Sequence, residues 1–290
     1  MNFAVIGGDM RNAKLSELLA ADGHAVSVFA IDKLRLEGKI TQGDTVKDTV
    51  SGADCVILPL PLTTRDESGI LNTPLSNGLH TIHEAMSALQ PEQIICAGKV
   101  DTAAAQLAAG YGLTLIDCLE REEFAVLNSV AAAEGAIQLI MEETSATLCG
   151  LNCLVIGFGR IGKVLCHRLR GLGVNVTASG RDVTDIAWIR AFCHDAFETA
   201  NLDGKLGNFD VIVNTVPARV IDKQRLQELK DGCLILDLAS KPGGLDFLTA
   251  SKLGIKALWA LSLPGDVAPV SSGAAIRETI YNILGERGRL

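Results

Sequence analysis

Short apolar runs alternate with amphipathic segments along almost the whole chain. The runs are rich in Val, Ile, Leu and Ala, as expected for buried parallel strands, and the segments between them place apolar residues at helical spacing. This alternation predicts repeated βα units. In the first half it predicts strands at residues 2–6, 25–29, 54–59, 93–97 and 113–116, and helices at 13–21, 82–89 and 103–109.

The second half repeats the pattern after a long helical segment, predicted at residues 121–144. Its strands are predicted at residues 153–156, 175–178, 211–214, 234–237 and 256–259, and a last helix at 273–284. We therefore predict an α/β protein with two Rossmann-like, doubly wound parallel-sheet domains joined by a long helix. The predicted domains are residues 1–145, which include the linking helix, and 146–290, whose C-terminal helix could pack back on the first domain.

A glycine-rich turn follows the first strand of the second half. The pattern G-x-G-x-x-G begins at Gly157, directly after an apolar strand, and leads into an amphipathic helix. In dinucleotide-binding domains the first glycine permits the tight turn, the second lets the backbone approach the pyrophosphate, and the third lets helix and strand pack closely. The start of the helix offers N–H groups to phosphates. The predicted cofactor-binding residues in this turn are Gly157, Phe158, Gly159, Arg160, Ile161 and Gly162.

This turn has two other interpretations. It could be a glycine turn in a Rossmann-like domain that binds no nucleotide. The same residues also nearly match a P-loop, because Gly162 is followed by Lys163, but the next residue is Val164. A P-loop needs Ser or Thr there to hold Mg²⁺, so the P-loop interpretation fails.

The end of the second strand indicates which dinucleotide binds. NAD sites usually carry Asp or Glu at this point, which accepts hydrogen bonds from the ribose 2′-hydroxyl. This chain has Ser179, Gly180 and Arg181 instead, and these suit a 2′-phosphate. The sequence therefore predicts NADP as the cofactor.

Two further strand ends in the second half are predicted to line the cofactor, because ligands of open α/β sheets bind beyond the carboxyl ends of the strands. Residues after the third strand are expected along the adenosine and ribose, and residues after the fourth strand nearer the nicotinamide. The alternative is that these are ordinary strand-to-helix turns. The residues concerned are Thr215, Val216 and Pro217, and then Asp237, Leu238 and Ala239.

Basic side chains near strand ends are candidates for holding a substrate carboxylate. In the first domain these are Arg11 and Arg65, and the acidic Asp9 of the same glycine turn is predicted to bind substrate with them; in the second domain Arg219 is the candidate. Each could also be a solvated surface charge. The catalytic group is not identified from the sequence, since no His follows residue 194, and Lys241 is a weak candidate for it.

Composition narrows the class of protein. The net charge is −8, which argues against a general nucleic-acid surface. The eight cysteines form no C-x-x-C pair, so we expect free buried thiols, no metal site and a reducing compartment. The N-terminus has no basic segment before its first strand, and no apolar run suggests a membrane span. We expect a cytoplasmic protein that binds neither nucleic acid nor membrane.

With these features in place, the chain resembles the family of dipicolinate synthase A subunits over nearly its whole length. The resemblance rests on several loops as well as the nucleotide turn. Near the end the family usually has two lysines in Pro-Gly-Lys-x-Ala-Pro-Lys, where this chain has Asp266 and Val270. The matching segments start at Gly7 (GGDMR), Pro59 (PLPLTTRD), Glu120 (EREEFAVLN), Glu134 (EGA), Gly157 (GFGRIGK), Asp237 (DLASKPGG) and Pro264 (PGDVAP).

The resemblance implies an oxidoreductase that oxidises dihydrodipicolinate, or its hydrated precursor, to dipicolinate with NADP. It also implies that the partner is a flavoprotein-like second subunit, and that the setting is the cytoplasm of the mother cell of a sporulating bacterium. A homo-oligomer or a hetero-oligomer is expected. The alternatives are an NADP-dependent dehydrogenase of another small carboxylic acid, and a non-catalytic NADP-binding scaffold subunit.

Overall fold

The computed structural model describes residues 1–64, 69–192 and 195–290. Over these residues the chain divides into two compact units, Met1–Asn128 with Ala268–Leu290, and Ser129–Val267. The division falls within a helix, α5 (Glu122–Glu143), rather than at residue 145, and the C-terminal helix belongs to the first unit. Apolar residues continue along the whole of α5. The sequence therefore does not show where its side chains stop packing in the core of the first unit and begin packing in the core of the second.

The described part of the first unit contains a sheet of six parallel strands in the order β3-β2-β1-β4-β5-β6. Five of these strands match predicted ones, and the edge strand β3 does not. The strands are β1 (Asn2–Ile6), β2 (Ala25–Phe29), β3 (Ile40–Gln42), β4 (Cys55–Ile57), β5 (Ile94–Ala97) and β6 (Leu115–Asp117). The helices are α1 (Met10–Ala21), α2 (Val46–Val50), α3 (Ile82–Ala88), α4 (Thr102–Gly110) and, from the C-terminus, α11 (Pro269–Glu286).

The described part of the second unit repeats this arrangement, with six parallel strands in the order β12-β11-β10-β7-β8-β9. The edge strand β9 is again the one without a predicted counterpart. The strands are β7 (Asn152–Ile156), β8 (Asn175–Gly180), β9 (Asp195–Glu198), β10 (Val211–Asn214), β11 (Leu234–Asp237) and β12 (Lys256–Trp259). The helices are α6 (Arg160–Gly171), α7 (Val183–Ala191), α8 (Lys223–Gln227), α9 (Phe247–Lys252) and α10 (Leu263–Val267).

Both sheets are buried on both faces, which explains why their strands read as continuous apolar runs. In β7, Cys153 and Val155 pack into one apolar cluster, while Leu154 and Ile156 pack into another. Strand β1 shows the same alternation between two clusters. Side chains alternate between the faces of a strand, so each sheet carries a core on either side. The structure confirms the predicted fold class: two Rossmann-like α/β units linked by a long helix.

Helix α5 contributes to both cores. Phe124, near its start, is buried in the first unit, and Ala133, Ala136 and Ile140 are buried in the second. Among the described helices, α5 is the one with the length and hydropathy of a membrane span, and 44% of its most apolar window is buried.

The strand orders place a topological switch point beside the first strand of each sheet. In the first unit it lies between β1 and β4, and in the second between β7 and β10. Open α/β sheets bind ligands in the crevice at such points, beyond the carboxyl ends of the strands. Each switch point in this chain is flanked by a glycine turn, and the candidate site residues lie around these turns.

Candidate functional site

The glycine turn after β7 has the geometry that a dinucleotide requires. Gly157 has a φ of +97°, in the left-handed region that favours glycine. A Cβ on Gly162 would overlap the Gly157 carbonyl oxygen, so the third glycine is needed for the helix to pack against the turn. The first and third glycines are thus fixed by the fold itself.

Gly159 has a different role, because a Cβ placed there would meet no atom within 4 Å. The fold does not require glycine at this position, whereas a closely approaching ligand would. Gly159 is also the N-cap of α6 and offers no side chain to its N–H groups. The exposed start of this 12-residue helix can therefore accept a phosphate. The turn fits the pyrophosphate of a dinucleotide.

At the end of β8, Ser179 does not have the role that the sequence predicted for it, which was to bind a 2′-phosphate. Its side chain is fully buried, and its hydroxyl is hydrogen-bonded to the Thr199 hydroxyl at 2.9 Å. Thr199 in turn donates to the Gly180 carbonyl oxygen at 3.0 Å. The Ser179 hydroxyl thus ties the strand end to the segment after β9. Of the predicted residues here, Arg181 is the one whose side chain is exposed and able to meet a ligand.

The loop after β10 closes against the glycine turn. Thr215 donates its hydroxyl to the Ile156 carbonyl oxygen at 2.9 Å, and a Cβ on Gly157 would overlap the Thr215 hydroxyl. Val216 is half-buried and Pro217 is exposed. The structure therefore brings the loop after β10 and the loop after β7 together at the switch point of this unit.

The loop after β11 is held by a buried carboxylate. Asp237 accepts hydrogen bonds from Asn214 Nδ2 at 2.7 Å, from the Ala239 N–H at 3.1 Å and from the Gly244 N–H at 2.7 Å. Both Asp237 and Asn214 are fully buried. The Asp237 carboxylate therefore orders the loop from within the protein. Its position in the sequence suggested a direct contact with the cofactor, but the geometry favours this structural role instead.

Asn214 and Trp259 belong to the same network and were missed from the sequence. Asn214 Oδ1 accepts the Val216 N–H at 3.1 Å, while its amide group also donates to the Val216 carbonyl oxygen at 2.9 Å. Trp259 Nε1 donates to the Ala239 carbonyl oxygen at 2.8 Å. An Asn at the end of an apolar strand was the only sequence signal for this role. Leu238 is half-buried and Ala239 is buried within the ordered loop.

The two basic candidates of this unit are exposed. Lys241 lies within the ordered loop after β11, and Arg219 lies within the loop after β10. Arg219 lies near Asp246: the Thr249 N–H and hydroxyl hold the pKa of the Asp246 carboxyl below its usual range, and the Arg219 charge acts in the same direction. Arg219 therefore has an acidic neighbour on its own unit.

In the first unit, Arg11 joins the turn after β1 to the loop after β4. Arg11 is 7% exposed, and its guanidinium group forms an ion pair of 2.8 Å with Asp9 and donates to the Leu60 carbonyl oxygen. Asp9 is also the N-cap of α1, where it accepts the Arg11 N–H at 3.0 Å. The pair spans the switch point of this sheet, with Asp9 the more exposed partner.

Two polar groups near this switch point are buried and have no hydrogen-bond partner among the residues that the structure describes. They are Asn12, on the first turn of α1, and the hydroxyl of Thr64, after β4. Asn12 packs against the turn so tightly that a Cβ on Gly8 would overlap its amide group. The remaining substrate candidate, Arg65, lies outside the described residues. Within the described ranges no group of three or more His, Cys, Asp or Glu could hold a metal ion.

Two protein-family models match this chain, and each match includes one of the two glycine turns. Residues 2–119 match the family model of the N-terminal domain of the dipicolinate synthase A subunit, and residues 125–240 match "D-isomer specific 2-hydroxyacid dehydrogenase, NAD binding domain". The chain is 30% identical to the dipicolinate synthase A subunit of Bacillus subtilis (strain 168) over 289 residues, which cover 99% of this chain and 96% of that protein. The chain belongs to the family of dipicolinate synthase A subunits.

Solved structures of this family have the same fold. The dipicolinate synthase A subunit from Bacillus subtilis superposes with a TM-score of 0.86, covering 99% of this chain and 96% of that one. The corresponding protein from Bacillus halodurans gives 0.87 at 30% identity, covering 98% and 97%. An L-alanine dehydrogenase, 15% identical with a TM-score of 0.68, shares the fold alone. The chain is thus a nicotinamide-dependent oxidoreductase whose second unit is the dinucleotide-binding domain.

Proposed function

We propose that this chain oxidises dihydrodipicolinate, or its hydrated precursor, to dipicolinate with NADP⁺ as the hydride acceptor. The observation that carries the proposal is the 30% identity to a dipicolinate synthase subunit over 99% of the chain. That match includes both glycine turns and the ordered loop after β11. The geometry of the second unit supports the cofactor half of the proposal, because Gly159 leaves open the space that a pyrophosphate needs.

The choice of NADP rests on the end of β8. The strand ends at Gly180, so it carries no acid to accept hydrogen bonds from a ribose 2′-hydroxyl. The exposed Arg181 follows it directly. A guanidinium can bind a phosphate through two parallel hydrogen bonds. We therefore assign the 2′-phosphate to Arg181 and not to the buried Ser179.

The proposed reaction removes a hydride and a proton from the dihydropyridine ring. Bound NADP⁺ supplies the acceptor for the hydride. Because the product ring is aromatic, the proton leaves readily and a strong catalytic base is not required. Lys241, exposed within the ordered loop after β11, is our candidate for the catalytic group. The chain then acts chiefly by holding the reacting atoms in position.

Two carboxylates must be bound, and each needs a cation or several N–H donors. In the first unit we assign carboxylate binding to Arg11, whose neighbour Asp9 holds its guanidinium group in place, and in the second unit Arg219 is our candidate for this role. Arg65 stays a proposed substrate residue on the strength of its position in the sequence. The ion pair between the buried Arg11 and the half-buried Asp9 supports the assignment, since an arginine held in a fixed orientation loses little freedom when it binds.

We further propose that the chain works with a flavoprotein-like second subunit, in a homo-oligomeric or hetero-oligomeric enzyme. Its setting would be the cytoplasm of the mother cell of a sporulating bacterium. The support is the family to which the chain belongs, since its relatives are named as subunits of dipicolinate synthase.

Turnover by the purified chain tests the proposal. Freshly prepared dihydrodipicolinate and NADP⁺ are incubated with this chain, with the second subunit, and with both together. Dipicolinate is quantified by chromatography. Formation that requires this chain supports the proposal. Oxidation of a 2-hydroxy acid instead would favour a dehydrogenase of another small acid. NADPH binding with no turnover in any combination would favour a scaffold subunit.

A further inference from the structure

The end of β8 holds an acid that does not come from the strand. Gly180 is followed by the start of α7, and Asp185 lies on the first turn of that helix. A Cβ on Gly180 would overlap the Cβ of Asp185, and would lie 3.4 Å from its Cγ. Asp185 therefore fills the space that a side chain at position 180 would occupy. An acid at position 180 could not be accommodated without moving α7.

The carboxylate of Asp185 faces the backbone at the strand end. Its Oδ2 accepts the Arg181 N–H at 3.0 Å, while the Asp185 N–H is itself bound by the Asp182 side chain at 3.0 Å. Asp185 is half-buried, whereas Arg181 and Asp182 are exposed. The negative charge of Asp185 is thus fixed beside the first residue after β8, where the ribose of a dinucleotide lies in this fold.

Two other carboxylates near the end of β8, those of Glu198 and Asp182, bind other groups. Glu198 pairs with Gly180 across the β8–β9 ladder, but its carboxylate accepts a hydrogen bond from Asn201 at 2.7 Å. Asp182 caps the N–H groups of Thr184 and Asp185. Of these three carboxylates, Asp185 is the one that accepts the backbone N–H of Arg181, so its charge lies close to the residue that we propose binds the 2′-phosphate.

We infer that Asp185 determines nucleotide specificity: its carboxylate disfavours a 2′-phosphate, and Arg181 overcomes that effect. The inference rests on the proposed binding of NADP. A phosphate monoester carries a charge between about −1.5 and −2 at neutral pH, so it meets repulsion from Asp185 and attraction from Arg181. NADH, which has hydroxyl groups at this position, meets neither to the same extent. Nucleotide preference is the balance of two fixed, opposite charges.

The test compares Asp185→Asn with the wild type by titration of NADPH and NADH. Asparagine keeps an oxygen that can accept the Arg181 N–H, so the substitution removes the charge and retains the turn. Asp195→Asn is the matched control, because it removes a carboxylate from β9 at the position paired with Thr177, three residues before Gly180. Trp188, which is 52% exposed on α7, reports binding through energy transfer to the reduced nicotinamide.

Asp185→Asn should raise the ratio of NADPH affinity to NADH affinity by about 5- to 10-fold, as expected for one charge removed near the phosphate. The gain should shrink at high salt, and Asp195→Asn should leave the ratio within about 2-fold of wild type. Arg181→Gln should lower the ratio. An unchanged or lower ratio in folded Asp185→Asn would overturn the inference. Equal affinities of the wild type for NADPH and NADH would instead contradict the proposed NADP preference. The effect of Asp185→Asn on the affinity ratio would still test the role of Asp185.

Discussion

Asn214 Nδ2 donates a hydrogen bond of 2.7 Å to Asp237 Oδ1, and both side chains are fully buried at the carboxyl edge of the second sheet. The bond joins the ends of β10 and β11, which are paired in the sheet at these two residues. Asn214 orders the loop that carries Thr215, and Asp237 orders the loop that carries Ala239. One buried pair therefore shapes two of the loops that surround the cofactor site.

Replacement of Asp237 by Ala should destabilise the second unit strongly. It removes the acceptor of three hydrogen bonds and leaves two backbone N–H groups buried without partners, while Asn214 Nδ2 keeps its bond to the Val216 carbonyl oxygen. Each unsatisfied buried group costs about 1–3 kcal/mol, so a loss of at least about 2 kcal/mol is expected. Urea unfolding followed by tryptophan fluorescence measures it, because both Trp188 and Trp259 lie in this unit. A loss below about 1 kcal/mol would mean that the network contributes little.

Alanine at two glycines of the same turn should separate cofactor binding from folding. Gly159→Ala meets no atom in the protein, so the fold should be retained while NADPH affinity falls by at least about 10-fold, the equivalent of about 1.4 kcal/mol. Gly162→Ala overlaps the Gly157 carbonyl oxygen, so it should lower the stability of the second unit by about 1–3 kcal/mol or more. Thermal unfolding and NADPH titration of both variants decide the matter. Full binding by Gly159→Ala would contradict the assignment of the pyrophosphate to this turn.

His24 should titrate below the usual range for histidine. Burial lowers the pKa of its imidazole and the N-terminal ammonium group lowers it further, while Asp22 acts in the opposite direction. The unfolded value is about 6.5, so the unfolded chain binds the proton more readily. The contribution of His24 to stability is therefore present above about pH 6.5 and is lost as the pH falls from there through the lower folded pKa.

An NMR titration of the imidazole signals checks this prediction, with the His24→Gln spectrum used for assignment. A folded pKa at or above about 6.5 would contradict it. The same variant should lose part of the decline in stability between about pH 6.5 and pH 5, whatever its absolute stability. Tyr281 lies in the same region, since its hydroxyl contacts both His24 and Asp22.

Among the cysteines that the structure describes, Cys149 is the exposed one, and it should react first with a thiol reagent. Burial raises the pKa of the Cys166 and Cys233 thiols to about 12, so almost no thiolate is present there at neutral pH. Peptide mapping after brief alkylation of the folded protein should find label at Cys149 and none at those two positions. Labelling of Cys166 at a comparable rate would show that the core of the second unit opens readily.

The parts of this protein that could be predicted from its sequence are those set by local pattern. Central strands and long helices are predictable because buried parallel strands give apolar runs. The glycine turn is predictable because the fold demands glycine at positions 157 and 162, and a closely bound ligand demands it at 159. The edge strand β9 was missed, since its Asp195-Ala-Phe-Glu198 segment lacks such a run. Without β9, strand β8 would be the edge of the sheet, and the Ser179 hydroxyl would be free to bind a ligand.

The contacts that shape the site come from residues far apart in the chain. Ser179 is paired with Thr199, and Asn214 with Asp237, and no local pattern indicates which side chains meet. The same holds for Arg11, whose bond to the Leu60 carbonyl oxygen depends on β1 and β4 being neighbours. Sequence placed Arg11 at a strand end but could not show that its guanidinium is buried and ion-paired.

In the proposed reaction, hydride passes from the dihydropyridine ring to NADP⁺ bound in the second unit. The most direct measurement is the ratio of NADPH to dipicolinate formed, without oxygen, by the chain together with its partner subunit. A ratio of about one is expected for the wild type, because each hydride removed reduces one NADP⁺, and Gly159→Ala should lower the formation of both products together. Dipicolinate formed at an undiminished rate without NADPH would contradict it, because the electrons would then have gone to another acceptor.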